Sequence, residues 1–194
     1  WYAGRLHDAD RVIRKATDLW PRDISIWFGR LYQQMYGGNV GGALAMLTDR
    51  INWPPSVPES DFALVELVAR AMESNQPAER KKALDANMTA ARNGLGYARN
   101  TVIFAAVLGD FDAAATAASA YYFDKPFAVA QTYFTREQGE YQGVRSRDTA
   151  FLFSPPLAAF RSDTRFEKIV SDIGLEAFWR SANVTPDYRN PTNE

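Results

Sequence analysis

The sequence predicts an all-α protein built as a row of antiparallel helix pairs, on three observations. Gly4, Gly38 and Gly109 are each followed by a proline 17 residues on, at Pro21, Pro55 and Pro126, and the first two glycines are 34 residues apart. Between glycine and proline, small and apolar residues recur at helical spacing: Leu6, Ala9, Ile13 and Ala16, then Val40, Ala43 and Leu47, then Phe111, Ala114 and Ala118. Asp8, Asn39 and Asp110 stand where the second helix of each pair would begin, and each can accept a bond from the unpaired amides of a first turn. A glycine turns the chain between two helices, a proline ends the second one, and the alanines let the pair approach closely.

The elements follow in order. Gly4 needs a preceding helix of which only Trp1, Tyr2 and Ala3 are present, so the spacing predicts further units upstream. The next helix carries Ile24, Trp27 and Leu31 on one face, with Phe28, Tyr32, Met35 and Tyr36 on another. The unit over residues 59–93 is less regular. It turns at Asn75, Gln76 and Pro77 yet keeps helical spacing in Phe62, Val65, Val68 and Ala71, then in Ala83, Ala86 and Ala90. The last unit turns at Gly109. Beyond it, a helix is expected from Phe127 to about Gln138, then an irregular connection from Gly139 to Pro156 that contains Phe151, Leu152 and Phe153. Two short helices follow, their apolar face made by Leu157, Phe160, Phe166, Ile169, Val170, Ile173, Leu175, Phe178 and Trp179. The expected organisation is helical repeats over residues 1–126, about three and a half units with the first truncated, a C-terminal helical cap over 127–185, and a mobile tail from Pro186 to Glu194.

Trp27, Gly38, Ala43 and Pro55 fall at the intervals of the tetratricopeptide repeat, and on them residues 1–126 resemble that family. Arg30, Leu31, Arg50 and Tyr121 depart from its pattern. The resemblance implies an α–α solenoid, a right-handed superhelix of helix pairs with a concave groove that binds protein. The segment Ser154-Pro155-Pro156-Leu157 to Phe178-Trp179, then Pro186-Asp187-Tyr188, is similar to the ending of bacterial regulators that join a winged helix to such repeats. That similarity implies the sensory or assembly part of a transcriptional regulator.

Charge and residue usage narrow the function. Lys plus Arg number 22 against 23 Asp plus Glu, with no basic excess in either half, so direct nucleic-acid binding is not expected. No run of about 18 apolar residues occurs, so no membrane insertion is expected, and neither is a secretory signal. Zero cysteines remove disulfides and thiolate metal sites. The cytoplasm is the expected compartment, and the periplasm is equally compatible with that composition. His7, the one histidine, reads as a surface or capping residue in a turn beside Asp8. Gly37-Gly38-Asn39-Val40-Gly41-Gly42 lacks the Gly-Lys-Ser/Thr of a phosphate loop and reads as an interhelical turn. Asp8 with Asp10, and Asp110 with Asp112, are two apart and do not face each other on a helix. Asn87-Met88-Thr89 and Asn183-Val184-Thr185 match the glycosylation pattern, but the first lies within an expected helix. No catalytic residue, metal or cofactor is expected, and the chain is not read as an enzyme.

The candidate binding residues are Phe28, Tyr32, Met35 and Tyr36, continued by Phe62 and Glu66 on the next unit and by Arg99, Asn100 and Ile103 on the last. Aromatic and Met side chains mixed with a few polar groups suit a groove for a peptide, a helix or another domain of the parent chain. The same stripe buried within the repeats is an equal alternative. Three functions remain open: a non-catalytic interaction module; a rigid spacer whose groove is filled by its own cap; and an enzyme, or the accessory domain of one such as a cyclase. An enzyme would use Arg99, Asn100 and Glu66 as its polar groups.

Overall fold

The structure, a computed structural model, describes residues 5–134 and 147–189. All regular elements among them are helical. Seven helices come first: α1 (Leu6–Leu19), α2 (Ile24–Tyr36), α3 (Val40–Thr48), α4 (Glu59–Ser74), α5 (Pro77–Ala90), α6 (Leu95–Val107) and α7 (Phe111–Phe123), each packed on the next. Later come α8 (Ala158–Arg161), α9 (Thr164–Asp172) and α10 (Leu175–Ala182).

Local chemistry sets the boundaries. Asp23 accepts the amides of Ser25 and Ile26, both at 3.0 Å, and starts α2. Asn39 accepts from Gly42 at 3.1 Å to start α3, and Asp110 from Ala113 at 2.9 Å to start α7. Gly38 and Gly109 turn the chain with φ of 88° and 79°, and Asn75 does so at 55°. Asp8 is not a cap: α1 begins before it, and its carboxylate pairs with Arg11 at 2.8 Å in the first turn. His7 is exposed on that helix and not in a turn. Gly4 lies outside the described residues.

Two hydrophobic clusters form the core. One joins α2 to α5 around Trp27, Leu31, Met35 and Phe62, and includes Phe104 and Leu108 of α6. The other holds the opposite side of α6, Ala98, Val102 and Ala105, against α7 and against Phe151, Leu152, Leu157, Phe160 and Phe166. Ala43 and Ala114 are completely buried.

The C-terminal part departs from expectation in three places. Residues 127–134 are not helical. Asp124 ends α7 with φ of 56°, and Phe127 and Val129 point inward while Ala128 and Ala130 are exposed. That alternation is the pattern of extended chain. The amides of the segment bond elsewhere: Val129 to the Asp124 carboxylate at 3.1 Å and Ala130 to the Arg92 carbonyl at 2.9 Å. The remainder of the helix expected up to Gln138 lies outside the described residues. The tail is also docked as far as Arg189: Tyr188 packs its ring 5.6 Å from Phe153 and 5.8 Å from Phe166, and Arg189 pairs with Glu167 and Glu176. Phe178, expected on the apolar face, is 62% exposed.

Ala43→Leu or Ala114→Leu should overpack its helix pair and cost about 1–3 kcal/mol in a denaturant or thermal melt. An unchanged melt in both variants would mean that these helices are not held at alanine distance.

Candidate functional site

The site is built around α6, which buries residues on nearly its whole circumference. Its first amides have no capping side chain. They are satisfied by the returning chain instead: Leu95 donates to the Thr132 carbonyl at 2.7 Å and Gly96 to the Tyr133 carbonyl at 2.5 Å. Only glycine fits beneath that crossing. A Cβ on Gly96 would lie 2.6 Å from the Tyr133 oxygen and 2.6 Å from the Phe134 ring, and one on Gly94 would lie 2.8 Å from the same oxygen.

The crossing sets Tyr133 and Phe134 beside a pocket of about 230 Å³ between α2, α4, α5 and α6. Phe28 and Tyr32 line it from α2; Asp61, Leu64 and Val65 from α4; and Asn87 from α5. Tyr97, Arg99, Asn100 and Phe104 line it from α6. Its polar groups are organised by hydrogen bonds. The Tyr97 hydroxyl donates to the Asp61 carboxylate at 2.8 Å. Thr101, fully buried, is within hydrogen-bond distance of the backbone carbonyls of Asn87 and Tyr97, at 3.0 and 2.8 Å. Asn87 donates its amide hydrogens to the carbonyls of Ala83 and Leu64, at 2.9 and 3.3 Å.

Arg99 stands at the other side of the pocket. It donates to the Tyr133 hydroxyl at 2.7 Å, lies 3.7 Å from the Asp148 carboxylate, and holds its guanidinium 5.3 Å from the centre of the Phe151 ring. Burial opposes its charge, but Tyr133 and Asp148 outweigh burial and raise its pKa. Burial pushes the Tyr32 phenol up from its ordinary value, with the nearby Arg99 charge opposing the shift, so Tyr32 stays a neutral hydroxyl at neutral pH.

Of the sequence candidates, Phe28, Tyr32, Arg99 and Asn100 meet at this pocket. Met35 and Phe62 are core residues, each 1% exposed: Met35 follows Trp27 and Leu31 at i+4 intervals, and Phe62 stacks on Trp53 at 3.9 Å. Tyr36 stacks on Tyr32 at 5.7 Å behind the pocket wall. Glu66 is not in the lining and pairs with Arg70 on its own helix at 2.6 Å, while Ile103 packs on the cluster shared with α7. Sequence reasoning missed Asp61, Asn87, Tyr97, Tyr133 and Phe134. Asn87 had a signal, since it shares the small apolar face of Ala83 and Ala90, where a polar residue needs a buried purpose.

Among the described residues no group of three or more His, Cys, Asp and Glu is placed to hold a metal, and no helix is long and apolar enough to cross a membrane. No family model, no curated protein and no solved structure matches this chain.

Gly96→Ala must displace the Tyr133 backbone or the Phe134 ring, and should lower stability by about 1–3 kcal/mol in a melt. Amide exchange at Leu95 and residue 96 should quicken at the same time, because their acceptors withdraw. Exchange as slow as in the parent chain would show that the crossing does not depend on this glycine.

Asp124, which holds the near end of the crossing segment, is kept below its ordinary carboxylate pKa by the Val129 amide and by Arg147 at 2.8 Å. A depressed pKa in the folded state gives stability that is present above the unfolded value of about 4 and is lost as pH falls further. Melting temperature should therefore drop more steeply from pH 4 to pH 2.5 in the parent chain than in Asp124→Asn. Parallel curves would remove Asp124 from the acid response.

Proposed function

We propose that this chain is a non-catalytic interaction module in which tetratricopeptide-like helix pairs present a pocket that seats one anchor residue of a partner peptide or domain. The observation that carries the reading is the pocket itself. Its walls are aromatic and aliphatic, and Tyr32, Asn87 and Asn100 bring it hydrogen-bonding groups not used up among the described residues. Its volume of about 230 Å³ lies below the roughly 300–1,000 Å³ of small-molecule sites, which favours a single inserted side chain over a whole substrate. Aromatic walls around a pocket of that size are the usual setting of a binding hot spot. Among the described residues, the crossing segment borders the pocket through Tyr133 and Phe134 without filling it. A regulatory context in bacteria rests on the resemblance of the C-terminal ending alone.

Selection of a random peptide display library on the parent chain tests this. A convergent motif should emerge and bind Tyr32→Ala or Asn100→Ala about 1–2 kcal/mol more weakly. Both variants line the pocket and are only half-buried, so their melts should change little. If no motif emerges, or if Tyr32→Ala costs about 3–5 kcal/mol of stability as truncation of a core aromatic does, the module becomes a spacer.

A further inference from the structure

The pocket is lined by one charge of each sign, and both are already engaged. Asp61 accepts the Tyr97 hydroxyl at 2.8 Å, and Arg99 donates to Tyr133, lies 3.7 Å from the Asp148 carboxylate and stands against the Phe151 ring. A cation entering the pocket comes up against the Arg99 guanidinium, and an anion against the Asp61 carboxylate. Either also gives up its hydration on entry, where the charge that would offset the loss is held by the protein's own groups. A neutral occupant bears neither cost.

Six aromatic rings supply much of the remaining wall: Phe28, Tyr32, Tyr97, Phe104, Tyr133 and Phe134. They do not share one orientation. Phe28 and Tyr32 are tilted by 37° at 5.8 Å, whereas Phe134 stands nearly perpendicular to Tyr97 and to Tyr133, at 5.2 and 4.9 Å. On α2, one face of each ring is covered by a parallel neighbour, Phe62 on Phe28 and Tyr36 on Tyr32. A guest ring set among rings at such angles meets faces with its edge and edges with its face, and those contacts add to the area that it buries. A saturated side chain gains the area alone.

We infer that the anchor seated by this pocket is an uncharged aromatic side chain, that of Phe, Tyr or Trp, carried by the partner segment. The inference rests on the peptide-binding reading above and adds its chemistry. At about 30 Å³ per water, 230 Å³ holds about eight waters. That is room which a ring and its methylene fill, while a leucine leaves part of it empty and part of the wall without contacts. The half-buried Tyr32 hydroxyl and Asn100 amide also line the pocket, so the polar tip of a Tyr or Trp finds a hydrogen-bonding group there.

The library selection supplies the probe. Enriched peptides should share an aromatic residue at one position. Isothermal titration of one such peptide with phenylalanine there, against its cyclohexylalanine version of similar shape but without a π-face, should show the saturated ring binding about 2- to 10-fold more weakly. Leucine, lysine and glutamate at the same position should each weaken binding about tenfold or more. In Phe28→Leu, which takes one ring out of the wall, the preference for phenylalanine over cyclohexylalanine should shrink. Equal affinity for those two peptides, or tighter binding of the lysine or glutamate version, overturns the inference, and so does an undiminished preference in folded Phe28→Leu. A convergent motif without an aromatic residue overturns it too and leaves the peptide-binding reading standing, whereas failure to enrich any peptide removes both. The peptide series on the parent chain decides the matter even if Phe28→Leu does not fold.

Discussion

The close approach of two backbones at the start of α6 is the constraint on which the rest of the site depends. A helix must place its first amides somewhere, and here carbonyls of residues 132 and 133 take them instead of a capping side chain. Such direct contact requires that Gly94 and Gly96 carry no Cβ. Once formed, it fixes Tyr133 at the pocket, and Tyr133 in turn receives the Arg99 guanidinium. One pair of glycines thus ties the capping of a helix to one side of the pocket and to the placement of a charge.

The position of α6 gives that tie its reach. Phe104 and Leu108 belong to the cluster with α2 to α5, whereas Ala98, Val102 and Ala105 belong to the cluster with α7 and the C-terminal helices. A helix apolar on all sides needs a partner on each, and its polar residues need internal satisfaction. Thr101 meets that need beside Asn87, and Tyr97 by bonding Asp61. Buried polar links of this kind are costly when broken, so α4, α5 and α6 hold the pocket in one geometry.

Much of the helical framework was legible. Glycine turns, Asn39 and Asp110 caps, and buried alanines are local decisions in which the residue and the conformation explain each other. Asp8 shows the limit, since a carboxylate suits the first turn of a helix as well as its cap, and the chain entered the helix earlier. Phe28 and Tyr32 were legible because i, i+4 spacing places them on one face of α2, and Arg99 and Asn100 because they hold the corresponding stripe of the last unit. Met35 was not separable from them, as it lies at the border of that face, and packing against Trp27 and Leu31 decided its side. Phe62 was drawn inward by two tryptophans from other elements, which periodicity along one helix does not register.

The residues that give the pocket its chemistry were hidden for a different reason. Asp61 and Tyr97 are 36 residues apart, and Arg99 and Tyr133 are 34 apart, so their pairing is a property of the folded chain alone. Residues 127–134 read as helical because Phe127 and Ala128 to Ala130 have nothing against a helix in their own propensity. Tertiary demand overrode propensity: the left-handed Asp124 and the proline after it end α7, and the unpaired groups near α6 offered the segment better bonds than a helix of its own. The local helix signals therefore account for the helical framework, while Tyr133 and Phe134, from the stretch where those signals stop, complete one side of the pocket. Helical spacing along one element thus finds Phe28 and Tyr32 and misses Tyr133 and Phe134, which reach the pocket only through the backbone crossing at α6.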